Sequence, residues 1–401
     1  MAISPFRLTP PPAYFVGREA EKKEFERLIE KTIGGNQRCM AVIGDRGIGK
    51  SALLDEFSSI ARKKDRVVVV RLALHDGVKT LGYLSMAILD AMQKQLRLLS
   101  LKESAKNKLL DALRGIEVKY QGLELSLKKP EATASPELNL SDDLLELWKQ
   151  LKEAGVPALI LEIDEAERLE QIDGALSFLR NTFSELQAKQ CNYAVVLSGK
   201  MGVYRKIQEL HSPIGRYFPP TELKPLSLQE TETFLRELME KRCKISVSKD
   251  AVAALHVLSD GNPFAVNAMC DVLYDRANEA NKAIDAAFIE LFQQELVARA
   301  GGGLFEKRFS LLSDVEKEVL NTIVKASSKE WPEGKAAIPE FTNSEVAELT
   351  GKSAPYAGAY LDRLIEKECL VKKSRNKYSI PYVLFGYYVL LASGRWPSGA
   401  G

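Results

Sequence analysis

The sequence predicts an α/β chain: a parallel sheet with helices on both faces, a helical lid after it, and a C-terminal winged helix. Three patterns carry that expectation. From Ala13 to Lys200, amphipathic helices alternate with short β-branched runs, the rhythm of a sheet covered by helices. From Ser227 to Leu296 the apolar periodicity is wholly helical, and from about Glu306 to Ser393 three helical stretches lead into two short strands around a basic turn. The expected parts are 1–222, 223–300 and 301–401.

The strands are expected at Cys39 to Ile43, Arg66 to Leu74, Ala158 to Ile163 and Tyr193 to Ser198. Each is apolar almost continuously, so all four read as buried central strands. Between the second and third lies an insertion, with a helix from Leu81 to Leu98, an extended segment from Glu117 to Leu127 and a polar stretch from Lys128 to Leu140. Ser227 with Gln229 and Glu230 starts the lid, and Gly261–Asn262–Pro263 interrupts it. The run Gly301 to Gly303 breaks the helical pattern and marks the second boundary. Beyond it, helices are expected at Asp314 to Ile323, Asn343 to Leu349 and Ser353 to Lys367, with a polar loop from Ala326 to Pro339 and Gly351 at the tight turn between the last two helices.

Length and composition narrow the function classes. At 401 residues the chain holds more than one core. With 45% hydrophobic and 27% charged residues it reads as globular throughout. A formal charge of +2 calls for no polyanionic partner on its own, so a nucleic-acid surface has to be a local patch. Cys39, Cys191, Cys243, Cys270 and Cys369 lack any ligand spacing, and His75, His211 and His256 stand apart from them. Neither a zinc site nor a Cys/His nucleophile is expected, and a reducing cytoplasm is. No charged leader precedes an apolar segment, and the longest apolar run, Ile380 to Ala392, contains Pro381 and Gly386 and is too short to span a bilayer. No membrane partner is expected.

The strongest motif is Gly44–Asp45–Arg46–Gly47–Ile48–Gly49–Lys50–Ser51, which follows the apolar strand Met40 to Ile43 and opens a helix. It fits GxxxxGK[ST], the loop of a P-loop NTPase: glycines let successive N–H groups face phosphate oxygens, and the helix N-terminus favours negative charge. The cofactor set read from it is Arg46, Gly47, Ile48, Gly49, Lys50, Ser51 and Ala52, with Lys50 bridging the β- and γ-phosphates of ATP and Ser51 a ligand of Mg²⁺. A second strand, Leu159 to Ile163, ends in Asp164 and Glu165 at what would be the sheet's carboxyl edge. Taken alone, an acidic pair there is either a helix cap or a catalytic pair; beside the P-loop it reads as a Walker B, with Asp164 holding Mg²⁺ through water and Glu165 polarising the attacking water. Ser198, at the end of the next strand, is a candidate sensor that contacts either the γ-phosphate or the attacking water. Arg216, in the turn Ser212 to Tyr217, is either an arginine finger reaching a neighbouring subunit's phosphates or an interdomain ion-pair residue.

In the tail, Lys352, Arg363, Lys367, Lys372, Lys373, Arg375 and Lys377 are candidates for one phosphate-facing surface, with Tyr356 and Tyr360 on the third helix. From Gly301 onward there are fourteen Lys and Arg against twelve Asp and Glu, so the tail binds either double-stranded DNA or a protein partner.

Taken together, Ser4–Pro5–Phe6, Phe15–Val16–Gly17–Arg18–Glu19, the Walker pair, Leu197–Ser198–Gly199, Pro213–Ile214–Gly215–Arg216 and Gly261–Asn262–Pro263 resemble the AAA+ and STAND superfamily. The likeness is closest to archaeal-type ATPases related to origin-recognition initiators. The resemblance implies that Phe15, Val16, Gly17 and Arg18 line the adenine and ribose and that Pro263 lies near the adenine. Phe264 stands where initiators carry a lid arginine, which implies slow turnover. The expected function is an ATP-binding and hydrolysing switch that couples nucleotide state to DNA binding. The alternative is a STAND-like signalling or scaffold ATPase whose tail docks a protein partner; a homo-oligomer is the other partner expectation.

Overall fold

The computed structural model describes residues 4–6, 14–100, 102–127, 139–200, 212–328, 331 and 338–396. The chain divides into two compact units. One comprises Arg18–Arg46 and Lys50–Lys224; the other comprises Met1–Gly17, Gly47–Gly49 and Pro225–Gly401.

The first unit is built on five strands, β1 Met40–Ile43, β2 Val68–Ala73, β3 Leu159–Asp164, β4 Tyr193–Gly199 and β5 Pro220–Glu222, in the order β2-β3-β4-β1-β5. Every neighbouring pair is parallel. β1, β3 and β4 are buried along their whole length, as expected of strands covered on both faces. β2 corrects the sequence expectation: it is an edge strand whose alternate residues are half-buried or exposed. β5 was not expected, because three largely exposed residues carry no apolar run; Pro220 is tolerated there because an edge strand leaves one set of N–H groups unpaired anyway.

Among the described residues, the helices that flank the sheet are α1 Glu19–Ile33, α2 Lys50–Arg62, α3 Leu81–Arg97, α4 Glu103–Leu127, α5 Leu140–Glu153, α6 Ala175–Ala188 and α7 Ser212–Tyr217. The Phe25 ring of α1 stacks on Phe57 of α2 at 4.1 Å. Two more expectations are corrected here. The segment Glu117 to Leu127 is the end of α4, not an extended stretch. Leu109 and Leu113 are buried and Ile116 packs behind them, so the i, i+4, i+7 spacing overrides the local two-residue spacing of Val118 and Tyr120 in the sequence. Arg216 sits on a short helix instead of a turn. Most of the polar stretch from Lys128 to Leu140 lies outside the described residues.

The second unit contains α8 Leu228–Leu235, continued by a π-helical turn Arg236–Arg242, then α9 Lys249–Ser259, α10 Pro263–Ala280, α11 Ala286–Leu291, α12 Gln293–Ser310, α13 Asp314–Ser328, α14 Asn343–Thr350 and α15 Ala354–Glu366. An antiparallel hairpin follows, β6 Val371–Ser374 and β7 Lys377–Ser379, and α16 Val383–Ala392 closes the unit. Caps set several starts. Ser227 with Glu230 and Thr342 with Glu345 form reciprocal capping boxes, and Gly351 at φ 65° ends α14 in the left-handed region that favours glycine.

The glycine run corrects a further expectation. Gly301 to Gly303 do not break the chain's helical path; they lie inside α12. A Cβ on Gly303 would meet the Phe264 ring at 2.5 Å and one on Gly301 would overlap Tyr388, so the run thins α12 where α10 and α16 press on it. Phe305 of α12 packs edge-on against Phe385 of α16 at 5.1 Å. One apolar core therefore runs from Phe234 to Leu390 and takes in Phe6 near the N-terminus. α13 also continues to Ser328; of the expected loop Ala326 to Pro339, residues 329–330 and 332–337 lie outside the described residues. Among the described residues, no helix is long and apolar enough to cross a membrane.

Candidate nucleotide site and basic surface

Three strand ends converge at the carboxyl edge of the sheet. The Gly44 N–H, just past β1, donates to the Gly199 carbonyl at the end of β4 at 3.2 Å. Open parallel sheets place ligands at this edge. The loop then turns through Gly47 and Gly49 at φ 77° and 94°, values a side chain would strain, and α2 begins at Lys50.

Lys50 donates to the Gly44 and Asp45 carbonyls, each at 2.9 Å, so its ammonium is folded back onto the loop. Burial pulls its pKa below the ordinary ammonium range, while Glu167, Asp164 and Asp45 act in the opposite direction. One turn into the site, the Ser51 hydroxyl donates to Asp164 Oδ2 at 2.7 Å. The other carboxylate oxygen of Asp164 accepts from the buried Ser198 hydroxyl at 2.8 Å. Ser51, Asp164 and Ser198 thus form one chain across α2, β3 and β4. Ala52 lies half-buried in the first turn of α2, and Ile48 is buried.

Glu165 takes a left-handed conformation at φ 54° as β3 passes into the 3₁₀ turn Ala166–Gln171. Burial raises its carboxyl pKa, helped by Glu167 and Asp164 and opposed by Arg46 and Lys50. Raising the pKa makes it a better proton acceptor than an ordinary surface glutamate. Its Oε2 accepts from Arg168 Nε at 2.7 Å, and Arg168 also pairs with Asp76.

Magnesium takes hard oxygen donors and keeps several waters, so one carboxylate and one hydroxyl suffice when phosphates complete the shell. Ser51 Oγ and Asp164 Oδ2, already within hydrogen-bond distance, fit that pattern. Among the described residues, no cluster of three or more His, Cys, Asp or Glu side chains is arranged to hold a metal.

The remaining predicted contacts fall in different places. Arg18, at φ 63°, begins α1 and donates to the Lys224 carbonyl at 2.6 Å. In the second unit, Phe15 and Val16 are half-buried ahead of Gly17 at φ 71°. Pro263 opens α10 in the first-turn position, where its missing N–H costs nothing, and Asn262 caps Phe264 and Ala265 at 3.0 and 3.2 Å. Arg216 is exposed on α7 and makes no ion pair among the described residues.

Residues 14–203 match the AAA ATPase domain family. This segment is similar to an AAA ATPase domain. The matched segment holds Gly44 to Ser51, Asp164, Glu165 and Ser198, while Arg216, Pro263 and the cations from Lys352 to Lys377 fall outside it. Many solved structures resemble the chain, two of them over nearly its whole length as follows. The ORC2 protein of Aeropyrum pernix, in its ADPNP and ADP complexes, is 13% identical over 97% of this chain and 96% of that one, with a TM-score of 0.59. A Walker-type ATPase of Pyrococcus abyssi is 18% identical over 97% and 98%, with a TM-score of 0.55. At these identities the likeness speaks for the fold. Among curated proteins, none matches the sequence.

Sequence reasoning missed a buried ion cluster beneath the AAA site. Glu162 of β3 is fully buried, and Arg71 of β2 donates to it through Nε and Nη2 at 2.9 and 2.8 Å. Arg71 also pairs with Asp55 of α2. Burial raises the Glu162 pKa to about 7 against the opposing pull of Arg71. The signal was a lone charge inside the apolar run Leu159 to Ile163. Arg168 carried no comparable mark.

In the tail, Lys352 lies 5.6 Å over the Tyr356 ring, Tyr356 and Tyr360 pack at 4.6 Å, and Arg363 lies 5.0 Å over Tyr360. This makes one row in which two tyrosines of α15 lie between Lys352, just ahead of the helix, and Arg363. Lys372, Lys373 and Arg375 are exposed on the hairpin, where Asn376 turns at φ 61°. Two of the seven predicted cations are tied down: Lys367 to Glu316 at 2.7 Å and Lys377 to Glu340 at 3.0 Å.

Proposed function

We propose that the chain is an AAA+/STAND-type switch that binds and hydrolyses ATP with Mg²⁺ and couples its nucleotide state to a C-terminal winged helix, 301–401, which binds double-stranded DNA. The observation that carries the nucleotide half is the chain Ser51–Asp164–Ser198 beside the folded-back Lys50. When phosphates arrive, Lys50 exchanges the Gly44 and Asp45 carbonyls for phosphate oxygens, a charge-assisted contact that replaces two weaker ones. Ser51 and Asp164 would hold the metal, which would supply neutralising charge at the phosphoryl oxygens. Glu165 accepts a proton from the attacking water, whose oxygen bonds to the γ-phosphorus as the bond to ADP breaks. Ser198 orients that water, and Arg216 serves a neighbouring copy of the chain. Phe15 to Arg18 and Pro263 serve the base and ribose in this reading. Five free thiols support a reducing cytoplasm as its setting.

The DNA half rests on the cation–tyrosine row of α15 and the hairpin cations. The pairing of Lys367 and Lys377 with carboxylates favours a second reading, in which the tail docks a protein partner and ATP locks a scaffold conformation. Glu165→Gln is expected to retain ATP binding and to abolish phosphate release; unchanged turnover would remove Glu165 from the mechanism. Fluorescence anisotropy on duplex DNA, with and without ATP at two salt concentrations, separates the tail readings. DNA binding predicts affinity that falls with salt and is lost in Lys373→Glu/Arg375→Glu. Salt-insensitive signal unchanged by that variant leaves the scaffold reading.

A further inference from the structure

The buried cluster beneath the AAA site has a geometry that bears on metal binding. α2 carries Ser51, Asp55 and Ser58 at the i, i+4, i+7 spacing of one helical face. β3 carries Glu162 and Asp164 on one face at the two-residue spacing of a strand. Ser51 meets Asp164, and one turn further along α2 the Arg71 guanidinium joins Asp55 to Glu162. Arg71 sits directly opposite Glu162 in the β2–β3 register. Its Nη2 also reaches Ser58 Oγ at 3.4 Å. The same two elements are therefore tied twice, once at the magnesium ligands and once through a fork of fixed geometry.

Stability does not explain the second tie. An apolar side chain at 162 would continue the run Leu159–Ile160–Leu161 without desolvating a carboxylate, and replacing buried ion pairs by apolar residues is commonly neutral or stabilising. Glu162 Oε1 also has no hydrogen-bond partner among the described residues, which adds to the cost of burying it. What the ionic fork supplies and an apolar contact lacks is direction: a planar guanidinium bonded to two carboxylates fixes both the separation and the rotation of the elements that carry them.

We infer that Arg71, Glu162 and Asp55 form a positioning cluster that sets α2 against β3 and so fixes the separation of Ser51 and Asp164, the two protein donors to magnesium. This rests on the metal reading above. None of the three residues touches nucleotide; they act through the placement of the two that do. Outer partners of metal ligands commonly change metal affinity about 10- to 100-fold when removed.

The test is magnesium titration of N-methylanthraniloyl-ADP binding to the full chain, beside binding in EDTA and the temperature of unfolding. The double variant Arg71→Met/Glu162→Leu removes both buried charges together. It is expected to unfold near the wild-type temperature, to bind the nucleotide in EDTA as wild type does, and to need at least about 10-fold more magnesium for the same occupancy. Arg71→Lys, which keeps the charge without the fork, is expected to fall between the two. Wild-type magnesium dependence in the folded double variant overturns the inference. Should the double variant fail to fold, Glu162→Gln, which keeps the shape and one acceptor, decides the question by the same titration. Ser51→Ala and Asp164→Asn separate the two levels. If they shift the magnesium dependence and the cluster variant does not, the positioning role alone fails. If they leave it unchanged, the metal reading fails.

Discussion

Lys367 gives the sharpest division between a DNA-contacting and a structural cation. Its ammonium lies 2.7 and 2.9 Å from the two oxygens of Glu316 and donates to the Leu311 carbonyl at 3.1 Å. The Glu316 side chain is 3% exposed and that of Lys367 is 33% exposed. Burial pushes the Glu316 pKa up, but Lys367 together with the Ser313 N–H and hydroxyl overcomes it and holds the carboxyl at about 2, against an ordinary 4.5. A fall of about 2.5 pH units is worth at most ~3 kcal/mol, and solvent access to the ammonium reduces that to about 1–2 kcal/mol. Because the folded pKa is depressed, this stability is present above pH 4.5 and is lost as pH falls from 4.5 towards 2. Lys367→Met is therefore expected to destabilise the 225–401 unit at pH 7, lowering its unfolding temperature by roughly 2–8 °C. Glu316→Gln is expected to flatten the loss of unfolding temperature that wild type shows between pH 5 and 3. Calorimetry at several pH values provides both. If Lys367→Met keeps the wild-type unfolding temperature and instead weakens duplex binding selectively, the structural assignment is wrong and Lys367 returns to the DNA-facing set.

Two other outcomes follow from single side chains. Lys50→Ala is expected to weaken ATP binding about 10- to 100-fold by calorimetric titration, the worth of one charged hydrogen-bonding group, and an unchanged affinity would remove Lys50 from the phosphate site. Asp260, left-handed at φ 52° at the end of α9, accepts the Leu384 N–H of α16 at 2.8 Å, and burial raises its pKa from 3.8 to about 6. The raised value means this stability is present below pH 3.8 and is lost as pH rises through 6. Asp260→Asn, which keeps the acceptor and tolerates the left-handed backbone, should therefore stabilise the unit at pH 7 by up to about 3 kcal/mol, and a lower unfolding temperature would refute this.

The sheet core was legible because its strands are apolar on both faces and the P-loop carries its own grammar: strand, glycines, Lys50, helix. Ser51 and Asp164, both expected at one metal from residue type and position, are joined by a hydrogen bond. The errors have a common physical origin in tertiary contact. β2 carries as many β-branched residues as a central strand, yet its place at the edge depends on which neighbours the crossovers leave free. Gly301 to Gly303 read as a break because glycine disfavours helix locally, whereas the helix survives because Tyr388 and Phe264 need the space. Arg71 and Glu162 lie far apart in sequence and meet only through the β2–β3 register.

That last pair bears on how the chain specifies its active geometry. A buried carboxylate is costly unless it is paired, and a mispaired β2 would leave Glu162 without Arg71. A slip of one residue in the β2–β3 register turns Arg71 to the opposite face, so the penalty for incorrect pairing falls on the same strand that carries the metal ligand. Apolar residues at 71 and 162 would tolerate such a slip at little cost. The ionic cluster therefore discriminates between registers more strongly than it stabilises the correct one. On this argument, replacing it with apolar residues should preserve unfolding temperature and degrade the site, and the two effects should separate in one variant.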